Sequence, residues 1–98
     1  MFDCNVTISI RHPTRGANGE IVYSQSSGRA LRMECRVRER GGAAPALTER
    51  TEFLIPPGTE VVPGDLIRCG AEEFELAEVR VCRNLDGELV AYRCRAAQ

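Results

Sequence analysis

Residues 63–95 read PGDLIRCGAEEFELAEVRVCRNLDGELVAYRCR, and the fold is decided there. Pro63 fixes φ and Gly64 permits φ > 0, so Pro63-Gly64-Asp65 is a tight turn that delivers Leu66 to Cys69 into a strand. Gly70-Ala71-Glu72 turns the chain back. Between Glu73 and Arg83, Phe74 and Leu76 share one face while Val79 and Val81 have the opposite parity. That change predicts a β-bulge near Ala77, of the kind that bends a strand into a small barrel. Asp86-Gly87 is a hairpin signal, after which Val90, Tyr92 and Cys94 alternate with Ala91, Arg93 and Arg95. Whether the hairpin loop holds two residues or four, Val79 and Val81 fall opposite members of the Val90, Tyr92, Cys94 set.

Upstream, residues 4–11 alternate: Cys4, Val6, Ile8 and Ile10 face one way, and Asn5, Thr7, Ser9 and Arg11 the other, as in a half-buried strand. His12-Pro13 stops that strand in this reading. Asn18-Gly19 then makes a turn into Glu20-Ile21-Val22-Tyr23. Ser24-Gln25-Ser26-Ser27-Gly28 reads as a polar turn. Beyond it Leu31, Met33, Cys35 and Val37 are assigned to the inner face, with Arg32, Glu34, Arg36 and Arg38 outside. The segment 41–51, rich in small residues and holding Pro45, reads as a long loop, and Phe53-Leu54-Ile55 as a short buried strand. The expectation is an all-β fold: one domain over 1–98, a small antiparallel β-barrel of six or seven strands near 4–11, 20–24, 29–39, 51–55, 65–69, 73–83 and 88–95, with one long loop at about 41–51. Leu31, Val37, Leu54, Ile67, Phe74, Val79 and Tyr92 are its expected core.

The chain of 98 residues has a formal net charge of −1, so bulk electrostatics selects neither nucleic acid nor an acidic ligand. Its 13 basic residues are all Arg, whose planar fork holds carboxylates more firmly than Lys does. There is no run of about 18 apolar residues, so no membrane helix is expected. The first residues lack the order of a signal peptide, and a cytosolic protein is expected. The five cysteines, at 4, 35, 69, 82 and 94, match no zinc or redox spacing and read as small hydrophobes; Cys82 and Cys94 fall on opposite faces and are not expected to bridge. The lone His12 is assigned no role, and Ser24, Ser26 and Ser27 have no evident histidine partner. No enzyme, metal or cofactor is expected.

Arg32, Arg36, Arg38 and Arg40 form a basic stripe with a spacing of about 6.6 Å where they alternate. Three readings stay open: a solvated face that discourages edge pairing, a protein interface, or a grip on phosphates in a small nucleic-acid-binding β-barrel using strand 32–40. In the long loop, Leu47 is the one sizeable apolar anchor, with Glu49, Arg50 and Glu52 as polar partners, so these eight residues are the candidate interface.

Phe53-Leu54-Ile55-Pro56-Pro57-Gly58-Thr59, then Val62-Pro63-Gly64-Asp65-Leu66-Ile67, then Glu73 to Val79 and Asp86-Gly87 before a closing strand, resembles the small head-closure, or stopper, proteins of long-tailed bacteriophages. The resemblance covers about residues 53–95. It implies a structural virion protein at the head-tail neck: a homo-oligomeric ring, assembled in the host cytoplasm, that closes the portal channel and joins head to tail. Its implied partners are portal or adaptor proteins, tail-terminator or tail-tube proteins, and DNA packaged nearby. Ring contacts of that kind are heterologous, which suits faces of mixed charge.

Overall fold

The structure is a computed structural model describing residues 3–39 and 46–97, with side chains throughout except at 37–39 and 46–48. Six strands, β1 (Val6–Arg15), β2 (Ile21–Glu39), β3 (Ala46–Ile55), β4 (Leu66–Cys69), β5 (Glu72–Arg83) and β6 (Leu89–Ala96), close into an antiparallel barrel in the order β1-β2-β3-β6-β5-β4. No helix occurs among the described residues.

The turns form for the reasons their residues give. Gly64 takes a φ of 94° and the Asp65 amide donates to the Val62 carbonyl at 3.2 Å. In the β5–β6 hairpin the Asn84 amide donates to Glu88 and the Gly87 amide to Asn84, both at 3.0 Å, so three residues span the loop rather than two or four. Gly87 supplies the left-handed position such loops need, with φ 83°. The register shifts between Leu76 and Glu78, leaving Ala77 as the bulge the parity change predicts, and Val79 and Val81 face Cys94 and Tyr92. Cys82 faces Ala91 instead, and all five cysteines are free.

The N-terminal half departs from expectation. Ser24 to Gly28 is not a turn: Ser24 pairs with His12, Ser26 with Ile10 and Gly28 with Ile8, inside one strand of 19 residues. Small residues sit on this row because the bulky Ile8 and Ile10 fill the core beside them. A Cβ at Gly28 would already meet Thr59 Oγ1 at 3.5 Å. Likewise His12 and Pro13 continue β1, and β3 begins at Ala46, so residues 46–51 of the expected loop are strand; residues 41–45 lie outside those described.

The parity of 31–36 is also reversed. Arg32 pairs with Phe53, which is fully buried, while Leu31 pairs with Leu54 on the outer face. The buried Ala30 sets this register. Ile8, Ile10, Ala30, Phe53, Ile55, Val61, Ile67, Leu76 and Cys94 form the core, against which Phe74, Val79 and Tyr92 pack half-buried. Of the expected core, Leu31 and Leu54 are half-buried outside it, and the Val37 side chain lies outside those described.

The barrel does not use the whole of its longest strands. β4 pairs with β1 only over Ser9–Arg11, and β6 with β3 only over Glu52–Ile55. Residues 12–15 with 21–24, and 34–39 with 46–51, therefore continue as two-stranded ribbons. The radius of gyration of 15.3 Å exceeds the roughly 13 Å of a compact chain this long.

Phe53→Ala should cost about 3–5 kcal/mol in urea unfolding, and the half-buried Phe74→Ala clearly less, at about 2 kcal/mol. Equal losses would mean that Phe74, edge-on to Phe53 at 5.5 Å, carries as much of the core.

Candidate functional site: an arginine-rich sheet face

Since Phe53, Tyr92 and Cys94 face inward, their neighbours Glu52, Leu54, Arg93 and Arg95 must face out. The bulge at Ala77 brings Glu78 and Arg80 to the same outer face. In one cross-strand row Leu31, Leu54, Arg93 and Arg80 lie side by side; in the next come Met33, Glu52, Arg95 and Glu78. Arg50, Glu52, Glu78, Arg80, Arg93 and Arg95 line an open cleft of about 320 Å³.

Its charges are interlocked. Arg93 Nε donates to Glu52 Oε1 at 2.9 Å, Arg95 Nη2 lies 3.3 Å from Glu78 Oε2, and Arg80 donates to Glu78 as well. The Arg93 bond holds the Glu52 carboxyl below its ordinary value of 4.5, helped by a bond from Cys35 and opposed by burial; Arg93 is raised in return. Glu78 is held low chiefly by Arg80, with smaller contributions from Arg95 and Arg50. Hydrogen bonding to Glu52, with burial second, raises the Cys35 thiol, and burial pushes Cys94 up to about 12, so neither is poised to act as a thiolate.

Of the eight candidate interface residues, the structure gathers only Arg50 and Glu52 into this cleft. Arg32 turns toward the barrel interior. Its guanidinium grips Glu72 through two bonds at 2.9 and 3.2 Å, reaches Glu34 at 2.8 Å, and lies 5.1 Å from the Phe74 ring centre. Arg36 pairs with the exposed Glu49 at 3.7 Å, away from the cleft. The Arg38 and Leu47 side chains, and Arg40, lie outside those described. The basic stripe is thus not one surface, because Arg32, at its head, is committed to a core-edge ion pair. Arg80, Arg93 and Arg95 are not among the candidate interface residues read from the sequence, though the predicted bulge and hairpin place all three on one face.

A second cluster was also missed. His12, opposite Ser24 on β2, bonds through Nδ1 to Asp65 Oδ1, and the almost wholly buried Asp65 also accepts the Val62 amide at 3.0 Å through Oδ2. The pair opens on a cleft of about 390 Å³ lined by Ser24, Gln25, Ser26 and Glu60. The Ser24 hydroxyl donates to the His12 carbonyl at 3.4 Å, not to its ring. Asp65 and His12 therefore join the Pro63 turn to β1; the serine is not placed as a nucleophile. Among the described residues no group of His, Cys, Asp or Glu gathers as metal ligands, and no helix is long and apolar enough to cross a membrane.

Compared with known protein families and with curated proteins, the sequence matches none.

Two outcomes test this electrostatic picture. The folded state holds the Glu52 carboxyl lower than the unfolded chain does, so its contribution is complete above about pH 5 and fades as pH falls through the folded value. Glu52→Gln should lose about 1 kcal/mol at pH 7 and show a flatter loss of stability between about pH 5 and 3, measured by urea unfolding; a slope like the parent's would remove Glu52 from the acid transition. Asp65→Ala, which strips a buried turn of its acceptor, should cost about 2–4 kcal/mol, and His12→Ala, whose ring is 44% exposed, under about 1. Equal losses would assign the cost to the His12–Asp65 bond itself rather than to the turn.

Proposed function

We propose that this chain is a structural connector subunit: a virion protein of the kind its sequence resembles, assembling as a ring at the bacteriophage head-tail neck to close the portal channel and receive the tail. The observation that carries the reading is the β1–β2 ribbon. It leaves the closed barrel at His12 and presents Ile21, Val22 and Tyr23 at 63%, 48% and 43% exposure. β3 pairs with β2 only from Leu31 onward. One edge of residues 21–28 therefore has no partner strand among the described residues, and the stretch holds no charge and no proline. Such an edge is ordinarily blunted, and a two-stranded ribbon alone is marginal in water. Contact with a neighbouring copy would cover both its apolar side chains and its free backbone groups, and a heterologous contact of that sort makes a ring when the rotation between copies closes.

The partners in this reading are further copies of the chain, portal or adaptor proteins on one side and tail proteins on the other, with assembly in the host cytoplasm. The alternative is a nucleic-acid-binding barrel using strand 32–40, in which Arg36 is exposed while the Arg32 guanidinium is engaged by Glu72 and Glu34.

Light scattering coupled to size-exclusion chromatography provides the test. The parent protein should assemble beyond the monomer, alone or on adding portal and adaptor rings. Val22→Lys with Tyr23→Lys should remain monomeric at unchanged thermal stability and fail to complement a phage lacking the gene. A parent that stays monomeric with those rings, or a double variant that restores full infectivity, would sink the proposal.

A further inference from the structure

The outer face of β3, β6 and β5 carries a charge pattern that sheet stability alone does not favour. Arg80 and Arg93 are direct cross-strand neighbours, and like charges so placed destabilise a pair. Three guanidiniums, those of Arg80, Arg93 and Arg95, share two carboxylates, Glu52 and Glu78, around one cleft. The three bring about fifteen N–H donors, whereas two carboxylates offer about eight lone-pair sites. Glu78 is already shared between Arg80 and Arg95. Arg95 Nε, beneath the accessible end of a side chain that is 36% exposed, is itself buried and has no hydrogen-bond partner. An unsatisfied buried donor costs about 1–3 kcal/mol and calls for an acceptor.

We propose that this cleft is a phosphate-binding site, with the Arg95 fork as its floor and Arg80 and Arg93 as its walls. A phosphate group fits the surplus because it presents several acceptor oxygens and negative charge together, and a guanidinium can meet two of those oxygens at once. The cleft is open and lies on the outer face of the barrel, so the phosphate can belong to a small ion or to a nucleic-acid backbone. The chain as a whole is slightly acidic; the site works by local surplus, not by bulk attraction. It is independent of the ring proposed above, since every residue belongs to one barrel.

Binding is measured on the full chain, by calorimetry with inorganic phosphate and pyrophosphate and by fluorescence anisotropy with a labelled duplex of about 20 base pairs over a salt series. Arg80→Gln, at a largely exposed position that the fold does not need, should weaken binding about tenfold, and Arg95→Gln at least as much. For duplex the salt slope should also fall by about one per lost contact. Arg29→Gln, which removes the same charge from the β1–β2 side of the barrel, should leave binding unchanged. Pyrophosphate binding as tightly as duplex assigns the site to small phosphates, whereas duplex binding far more tightly with a steep salt slope assigns it to the nucleic-acid backbone; both support a phosphate site. No binding of any of the three at millimolar ligand would overturn it. So would equal losses from Arg29→Gln and Arg80→Gln, or tighter binding of an oligoglutamate peptide than of pyrophosphate.

Discussion

A single strand has to belong to two sheets for this barrel to close. β2 pairs with β1 through Ala30 and with β3 from Leu31, and no residue of it is shared between the two ladders. The hand-over requires a small buried residue where three strands converge, and Ala30, fully buried, occupies that point. Once Ala30 faces inward, strict alternation turns Arg32 inward as well. A guanidinium at the edge of a core is tolerable only when paired. The bidentate Glu72, the Glu34 carboxylate and the Phe74 ring together meet that demand, and the two hydrogen bonds between Asn5 and the Arg32 backbone hold the strand in place beneath them.

The same constraint makes the molecule longer than its core. Because β1 and β3 lie on opposite sides of β2 and at opposite ends of it, each continues past the barrel with only β2 as its companion. Two ribbons result from one strand. Their bases are fixed differently. The β1–β2 ribbon is tied to the Pro63 turn by His12 and Asp65, while the β2–β3 ribbon leaves beside Glu52, whose bond to Arg93 joins β3 to β6. In each case a buried or nearly buried carboxylate sits where a strand loses its second neighbour.

What was legible in the sequence was local. Pro63-Gly64, Asp86-Gly87 and the switch of parity around Ala77 each act within a few residues, and the turns, the bulge and the Val79/Val81 pairing followed from them. The barrel class followed too, since alternating runs separated by turn residues leave few other arrangements. The long β2 was hidden because Ser24 to Gly28 is polar and small, which is also the composition of a turn; only the bulk of Ile8 and Ile10 across the sheet explains it. The inner face of residues 30–36 was misread because apolar Leu31 and Met33 alternate with charged neighbours as a half-buried strand should, whereas Ala30, too small to signal, sets the register. The ion pairs lay beyond reach for another reason: His12 and Asp65 are 53 residues apart, Arg93 and Glu52 41, and Arg32 and Glu72 40, so only closure of the barrel brings them together.

The bulge at Ala77 links the core to the arginine face. Had β5 run straight, the parity of Phe74 and Leu76 would have carried on to Glu78 and Arg80, turning both charges inward and Val79, which packs against the core, outward. One unpaired residue exchanges the two sets. It gives the core Val79 beside Cys94, and it sets Glu78 and Arg80 in register with Arg95 and Arg93. The cross-strand arginine pair is therefore not an accident of a polar surface; it comes with the device that closes the barrel. What the bulge does not require is that four of the six charged groups around the cleft be cationic. Alternating signs would satisfy the same register without the Arg80–Arg93 pair, so the excess of guanidinium calls for a cause outside the fold, and an anionic ligand supplies one.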